Sequence, residues 1–172
     1  MTFYIVIAVI GILLIVVSQQ PAEFKIVRST TMAVPVSAIF PHVNNLRKWE
    51  AWSPWAKLDP NAKNSFEGPE EGVGAVMCWE GNCKVGVGSM TITESRPNEA
   101  VNFKLDFLKP MKATSYSEFS FKPEGSNTLV IWSMSGTNNF MGKFMSLFMN
   151  CEKMVGGHFE KGLASIKAIV EK

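Results

Sequence analysis

Histidine and aspartate, two residue types often used in acid–base chemistry, are scarce in this sequence, which contains two of each. His158 lies on a predicted C-terminal helix, and Tyr116 and Glu118 lie on a predicted strand that this helix could cover. A general base needs an orienting partner and a substrate within reach, so these three residues are the catalytic candidates. A solvent-facing or hydrogen-bonded His158 is the simpler alternative. No nucleophile-elbow, zinc-peptidase or phosphate-loop motif is present, so the sequence favours binding over catalysis.

The cysteines do not indicate a metal site. Cys78 and Cys83 are five residues apart without an accompanying histidine pair, and Cys151 lies far along the chain. Structural zinc sites combine four cysteine or histidine ligands at characteristic spacings that are absent here. We therefore expect reduced structural thiols, with no metal ion and no cofactor.

A ligand-binding surface has more support, because aromatic and sulfur-containing side chains are concentrated in the chain. Four of the five tryptophans fall within 31 residues: Trp49, Trp52, Trp55 and Trp79. The first three repeat every third residue and would be neighbours on a helix. They would form a hydrophobic plug at one end of a sheet or the wall of a ligand cavity, since amphipathic rings suit both roles. Strand and terminal-helix residues complete the predicted ligand-binding set: Met77, Met90, Phe103, Phe107, Phe119, Trp132, Met134, Phe159 and Leu163.

The elements that must position these residues are mainly strands. Residues 23–32 are β-branched with alternating polarity and predict a first strand. Residues 101, 103, 105 and 107 are apolar and alternate with polar residues, which is the clearest two-residue period in the chain. Residues 124–127 (EGSN) predict a hairpin turn. Antiparallel strands are predicted at 72–81, 84–94, 101–107, 114–122 and 128–135.

Helices are predicted before and after these strands. Pro35 begins a short helical stretch, which Pro41 should kink or divide. The terminal helix has apolar residues at spacings of three and four between Met154 and Val170. The adjacent glycines at 156 and 157 predict a bend or a close contact within it. The order predicts an α+β fold in which this helix covers the apolar face of an antiparallel sheet and leaves a cavity between them.

The N-terminal segment differs from the rest of the chain. Its first 17 residues are apolar except for Thr2 and Gly11, and the first charge is Glu23. A helix extended through residue 20 would approach the roughly 30 Å thickness of the hydrocarbon core. The sequence thus predicts a single-pass transmembrane anchor at 1–20 and a membrane localisation, with the domain at 21–172 on the cytoplasmic side because positive charges follow the anchor. A cleaved secretory signal and a buried core helix are the alternatives.

The remaining surface gives little indication of macromolecular partners. A net charge of +2 without charge clusters argues against nucleic-acid binding. Residues 140–149 (FMGKFMSLFM) are apolar on nearly every helical face and could be core, a lid, a membrane-contacting patch or a partner-binding surface. Nothing in the sequence determines the oligomeric state.

Several segments resemble the START-like (SRPBCC) superfamily, in particular its polyketide cyclase/dehydrase-type branch. They are MAVPVSAIFPHVNN (32–45), WEAWSPW (49–55), VMCWEGN (76–82), TITESRPNE (91–99) and FEKGL (159–163). The resemblance extends from Phe24 to about Val170 and implies the helix-grip fold, a curved antiparallel sheet around a long C-terminal helix and a hydrophobic cavity. Members of the superfamily include lipid and sterol carriers, hormone receptors and cyclases, so the resemblance does not define one activity.

Together, these observations predict a membrane-anchored domain that binds a hydrophobic small molecule or lipid in an internal cavity. The first alternative is an enzyme like the polyketide cyclases and dehydrases, which would use His158, Tyr116 or Glu118. The second is a non-catalytic scaffold that binds a partner through residues 140–149.

Overall fold

A single antiparallel sheet forms the centre of the computed structural model, which describes residues 2–148 and 150–172. The spatial order of its seven strands is β1-β7-β6-β5-β4-β3-β2, so six strands form a meander and the first strand pairs with the last. The strands are β1 (Glu23–Met32), β2 (Lys63–Glu67), β3 (Val76–Glu80), β4 (Val87–Arg96), β5 (Ala100–Lys109), β6 (Ala113–Glu124) and β7 (Asn127–Thr137). The predicted first strand is confirmed as β1 and the five predicted later strands as β3–β7, while β2 is a further strand of the meander.

The alternation of side chains determines which face of the sheet is covered. In β5, Val101 and Phe103 are fully buried on the inner face, as their sequence period predicts. In β6, Ser115, Ser117 and Phe119 are buried, while the residues between them point to the outer face. One face of the sheet is therefore the wall of a core, and the other face is more exposed.

The described residues form five α-helices: α1 (Thr2–Gln19), α2 (Val36–Asn44), α3 (Trp49–Trp52), α4 (Phe140–Ser146) and α5 (Cys151–Val170). The long helix α5 covers the inner face of the sheet through Phe159, Leu163 and Ile166, which are buried. The α+β architecture, with a curved sheet and a C-terminal covering helix, is that of a helix-grip fold. Pro41 does not divide α2 into two helices, because a missing amide removes only one hydrogen bond from this short helix.

Polar contacts with β1 hold α5 in place at both of its ends. Arg28 of β1 forms ion pairs with Glu152 (2.8 Å) and Glu160 (2.6 Å), and its guanidinium lies over Gly156. A β-carbon at Gly156 would collide with that guanidinium, so the predicted close contact at the glycine pair is confirmed at this position. Near the end of α5, Lys167 Nζ donates a hydrogen bond to the Thr31 carbonyl oxygen (2.9 Å). These contacts fix the distance between the helix and the sheet.

The prediction of a transmembrane anchor and a membrane localisation is wrong. Among the residues placed in the structure, no helix is long and apolar enough to cross a membrane. The 18 residues of α1 rise only about 27 Å, against a hydrocarbon core of roughly 30 Å. The C-terminal end of α1 packs on α4, where Lys143 Nζ donates to the Ser18 carbonyl oxygen at 3.4 Å. Met1, the first residue of the predicted anchor, lies outside the described residues.

The apolar segment at 140–149 does not belong to the core. It forms α4 and a turn, in which Phe140 is 52% exposed and Phe148 is 71% exposed. Met149, its last residue, lies outside the described residues.

Candidate ligand-binding cavity

A cavity of about 200 Å³ lies between the inner face of the sheet, α5 and residues 49–55, which we call the α3 region. Its wall is almost entirely apolar, with aromatic rings from α3, the turn after α3, β3, β5, β7 and α5. The lining residues are Trp49, Ser53, Trp55, Met77, Trp79, Val85, Met90, Leu105, Phe107, Ser117, Trp132, Met134, Val155 and Phe159. Strand parity explains the wall, because Met77 and Trp79, and likewise Leu105 and Phe107, are two residues apart and face the same side.

Trp132 on β7 is the centre of the aromatic cluster beneath the cavity. Its ring is stacked on Phe159 of α5 with centroids 4.0 Å apart and planes inclined by 6°. The ring of Phe119 is also stacked on Trp132, with centroids 4.5 Å apart. The three tryptophans of the 49–55 segment surround the same ring with centroids 5.7–6.0 Å away. The cluster thereby joins the sheet, α5 and the α3 region.

The buried tryptophans have acceptors for their indole N–H groups, as rings in this environment require. Trp49 Nε1 donates to the Val43 carbonyl oxygen (2.9 Å), and Trp52 Nε1 donates to the His42 carbonyl oxygen (3.0 Å). Both carbonyls lie in the last turn of α2, where helix carbonyls have no partner within the helix. The two indoles therefore cap α2 and fix its position at the end of the sheet.

Two glycines allow the aromatic rings to approach the backbone closely. A β-carbon at Gly88 of β4 would lie 2.5 Å from Trp79 Cζ2. A β-carbon at Gly162 of α5 would lie 2.8 Å from Trp132 Cζ3. Any other residue at these positions would displace a ring of the cavity wall or of the core beneath it.

A second, smaller compartment of about 80 Å³ continues the cavity towards the loop after α3. We call it the vestibule and define it by its polar lining residues, Glu50, Ser53, Asp59 and Asn64. Trp49, Ser53 and Trp55 line both compartments. The carboxylate of Asp59 accepts hydrogen bonds from the backbone amides of Asn61 (3.1 Å) and Asn82 (2.7 Å). The site thus has an apolar interior and a polar, acidic end.

The structure divides the predicted ligand-binding set into two groups. Nine of its members line the cavity: Trp49, Trp55, Met77, Trp79, Met90, Phe107, Trp132, Met134 and Phe159. The other four, Trp52, Phe103, Phe119 and Leu163, are almost completely buried in the core and do not line it. A role in binding remains a prediction for the nine, and the four support the wall from behind.

Five lining residues are absent from the predicted set. Leu105 follows the alternation of β5, and Val155 follows the apolar spacing of α5, so both had a signal in the sequence. Val85 and Ser117 had none of comparable strength. Ser53 is followed by Pro54, and a serine–proline pair is typical of loops without indicating a binding role.

The structure does not bring the catalytic candidates together. Tyr116 and Glu118 alternate with the buried Ser115, Ser117 and Phe119, and therefore face the outer side of the sheet. His158 is half-buried on α5 and packs on Trp55, with ring centroids 5.7 Å apart. None of the three catalytic candidates is among the cavity-lining residues. Within the described ranges, no group of three or more His, Cys, Asp or Glu side chains is placed to hold a metal ion.

The environment of His158 predicts a pH dependence of stability. Burial, together with the positive charge of Lys161, lowers the pKa of His158 from its ordinary value of 6.5. Below pH 6.5 the unfolded chain therefore binds more protons at this residue than the folded chain does. We expect the free energy of unfolding to fall as the pH decreases from 6.5 through the lower folded-state pKa, and this contribution to level off below it.

Denaturant unfolding of the parent protein and of His158→Gln at a series of pH values would measure this contribution. We expect a shallower decline for the variant. His42, whose pKa is also lowered by burial and by Lys48, should account for a further part in the double variant His42→Gln/His158→Gln. Identical pH profiles for the parent and both variants would contradict the assignment.

Comparison with known protein families identifies the class of protein. The family model described as polyketide cyclase / dehydrase and lipid transport matches residues 23–171, which is nearly the whole chain after α1. The chain belongs to this family. The resemblance to the polyketide cyclase/dehydrase branch is thereby confirmed. Comparison with curated proteins gave no match.

Solved structures share the fold at low sequence identity. Protein CV1439 from Chromobacterium violaceum has a TM-score of 0.63 at 11% identity, covering 86% of this chain and 97% of its own. The Aha1 dimer from Colwellia psychrerythraea has a TM-score of 0.62 at 15% identity, covering 86% and 96%. The di-domain ARO/CYC protein BexL of the BE-7585A biosynthetic pathway has a TM-score of 0.61 at 12% identity, covering 91% of this chain and 53% of its own. These likenesses show the fold alone.

Proposed function

We propose that this protein binds a small apolar molecule in the cavity between the sheet and α5, and that it prefers aromatic molecules. We assign this activity to a domain formed by residues 21–172. The observation that carries the proposal is an internal cavity of about 200 Å³ whose wall is aromatic and methionine-rich. Apolar side chains that line an unfilled, partly open cavity forgo the packing contacts of a close-packed core, so their retention is more easily understood if a ligand covers them.

The volume of the cavity limits the size of the ligand. An engineered apolar cavity of about 150 Å³ binds benzene, whereas sites for drug-sized molecules span about 300–1,000 Å³. The cavity of this chain, at about 200 Å³, lies between these values but nearer to the first. A ligand with one or two fused rings fits it, and the volume argues against a whole sterol or an intact phospholipid.

The chemistry of the wall favours aromatic over aliphatic ligands. Trp49, Trp55 and Trp79 expose ring surface to the cavity together with Phe107. Aromatic pairs in stacked or edge-to-face arrangements gain about 0.5–1.5 kcal/mol beyond the burial of area. Methionine side chains such as Met77 and Met90 adjust their rotamers and also contact ring edges favourably.

Isothermal titration calorimetry of the full chain with naphthalene tests the proposal. We expect saturable binding at one site, with a dissociation constant of roughly micromolar to submillimolar magnitude for a ligand of this size. The variant Val155→Trp places an indole at a partly buried position of the cavity wall and should weaken binding by at least about tenfold, because it occupies the ligand's space.

A matched control is Val73→Trp, which introduces the same side chain at an exposed position that does not line the cavity. This variant should bind naphthalene as the parent protein does. Absence of saturable binding by the parent protein, or equal affinities for the parent and Val155→Trp, would refute the proposal.

The two alternatives have no comparable support. The enzymatic alternative needs acid–base groups that point into the cavity, and His158, Tyr116 and Glu118 do not line it. The scaffold alternative is based on the exposed rings of Phe140 and Phe148, and nothing in the structure indicates what would contact them.

A further inference from the structure

Ser53 is a buried polar residue at the junction of the cavity and the vestibule. It is 8% exposed and lines both compartments. Its backbone amide donates to the Trp49 carbonyl oxygen at 2.7 Å, but its hydroxyl makes no hydrogen bond with any residue that the structure describes. The hydroxyl oxygen is not enclosed by protein atoms, since Asn102 Oδ1 is the buried side-chain atom without a partner among the described residues, so the Ser53 hydroxyl is open to a molecule that enters the cavity. A ligand atom would supply the missing partner.

Ser117, the other serine of the cavity wall, shows the contrast. It is buried to the same degree, at 7% exposed, but its hydroxyl is fully used. It donates to the Ser133 carbonyl oxygen (2.8 Å) and accepts from Trp132 Nε1 (2.9 Å). The polar group available to a ligand is therefore at the vestibule end of the cavity, and the opposite wall offers an apolar surface.

The vestibule beside Ser53 is acidic. Glu50 makes no hydrogen bond or ion pair with the described residues, and Asp59 is held in place by the backbone amides of Asn61 in its own loop and of Asn82 in the turn after β3. The residues that line the vestibule include no lysine and no arginine. Carboxylates accept hydrogen bonds and attract cations, so a ligand head that donates hydrogen bonds is favoured here and an anionic head is repelled.

We propose that the ligand is an amphipathic aromatic molecule with a neutral or cationic hydrogen-bond-donating head, a hydroxyl or an amine. Its rings fill the apolar cavity, and its head bonds the Ser53 hydroxyl and faces Glu50 and Asp59. This inference depends on the proposed function, because it specifies the ligand of the same cavity.

Four ligands with one common ring system separate the contribution of the head from that of the body. Naphthalene, 2-naphthol, 2-naphthylmethylamine and 2-naphthoate would each be titrated into the full chain by calorimetry. We expect 2-naphthol and the amine to bind about three- to tenfold more tightly than naphthalene, as one net hydrogen bond provides. The carboxylate should bind more weakly than naphthalene.

Two variants assign the preference to named residues. In Ser53→Ala the ratio of 2-naphthol to naphthalene affinity should fall to about one, since the hydroxyl partner is lost. The control Ser65→Ala, at an exposed position of β2 that lines neither compartment, should keep the parent ratio. In Glu50→Gln the ratio of amine to 2-naphthol affinity should fall below that of the parent protein, because a carboxylate near the cationic head is lost, while Glu70→Gln, in the exposed loop before β3, should leave the ratio unchanged.

The outcomes distinguish this inference from the proposed function. If naphthalene binds in the cavity but all four ligands have equal affinities, the inference is wrong and the proposed function stands. If 2-naphthol binds more tightly but the ratio survives in Ser53→Ala, the assigned orientation is likewise wrong. If none of the four ligands binds, both the inference and the proposed function fail.

Discussion

Replacing Trp132 by alanine is expected to lower the free energy of unfolding by about 3–5 kcal/mol. Trp132 is 2% exposed, and its ring contacts Phe159 on one side and Phe119 on the other. Removal of the indole would leave a void at the point where the sheet, α5 and the α3 region meet. It would also deprive the buried hydroxyl of Ser117 of its donor.

Denaturant unfolding of the parent protein and of Trp132→Ala would measure this effect, with Trp55→Ala as the comparison. The Trp55 ring centroid lies 5.9 Å from that of Trp132, but Trp55 is only partly buried. Its removal should therefore lower the free energy of unfolding by a clearly smaller amount. A loss below about 1 kcal/mol in Trp132→Ala, in the range of a surface substitution, would mean that the aromatic cluster does not hold the fold together.

Two glycines of α5 should respond in opposite directions to the same substitution. Gly162→Ala should lower the free energy of unfolding by about 1–2 kcal/mol, because overpacking exceeds the gain in helix propensity. The added β-carbon would lie 2.8 Å from Trp132 Cζ3 and 3.3 Å from Pro54 Cδ, and the stacked ring has little room to move. Gly157→Ala should raise the free energy by up to about 1 kcal/mol, because open space surrounds this position and alanine favours helix.

Thermal and denaturant unfolding of the two variants, measured side by side, provides the check. The comparison controls for helix propensity, since both positions lie within α5 and receive the same side chain. A change of the same sign and size at both positions would contradict the packing of Gly162 against Trp132.

The sequence predicted the elements of the fold more reliably than the details of the site. The period of two in β5 and the spacing of three and four in α5 reflect burial directly, so they identified both walls of the cavity. The same parity also placed Tyr116 and Glu118 opposite Phe119 on the outer face of the sheet. Tyr116 and Glu118 therefore point away from the cavity and are poorly placed to act on a molecule inside it.

The boundary between cavity and core could not be predicted from residue types. Trp52 and Trp55 are the same residue three positions apart, yet the first is fully buried behind the wall and the second lines it. The difference arises because α3 ends at Trp52 and the chain turns at Ser53 and Pro54 before Trp55. The position of the unpaired Ser53 hydroxyl also depends on that turn, and a turn has no residue periodicity from which it could be predicted.

The N-terminal segment shows the opposite problem, since its composition was clear and its interpretation was wrong. The apolar run forms a helix of nearly the predicted length, but large apolar side chains such as Ile12 and Ile15 remain exposed. Helix α1 ends at Gln19. Near that end, Val17 is completely buried and the Ser18 carbonyl oxygen accepts a hydrogen bond from Lys143 Nζ.

A crystal of the full chain soaked with 2-bromonaphthalene would test the central claim most directly, through the anomalous signal of bromine. We predict a bromine peak inside the cavity, between Trp49, Met90 and Trp132, and its loss in crystals of Val155→Trp. An empty cavity at full soak, or bromine peaks only on the outer surface of the molecule, would contradict the account.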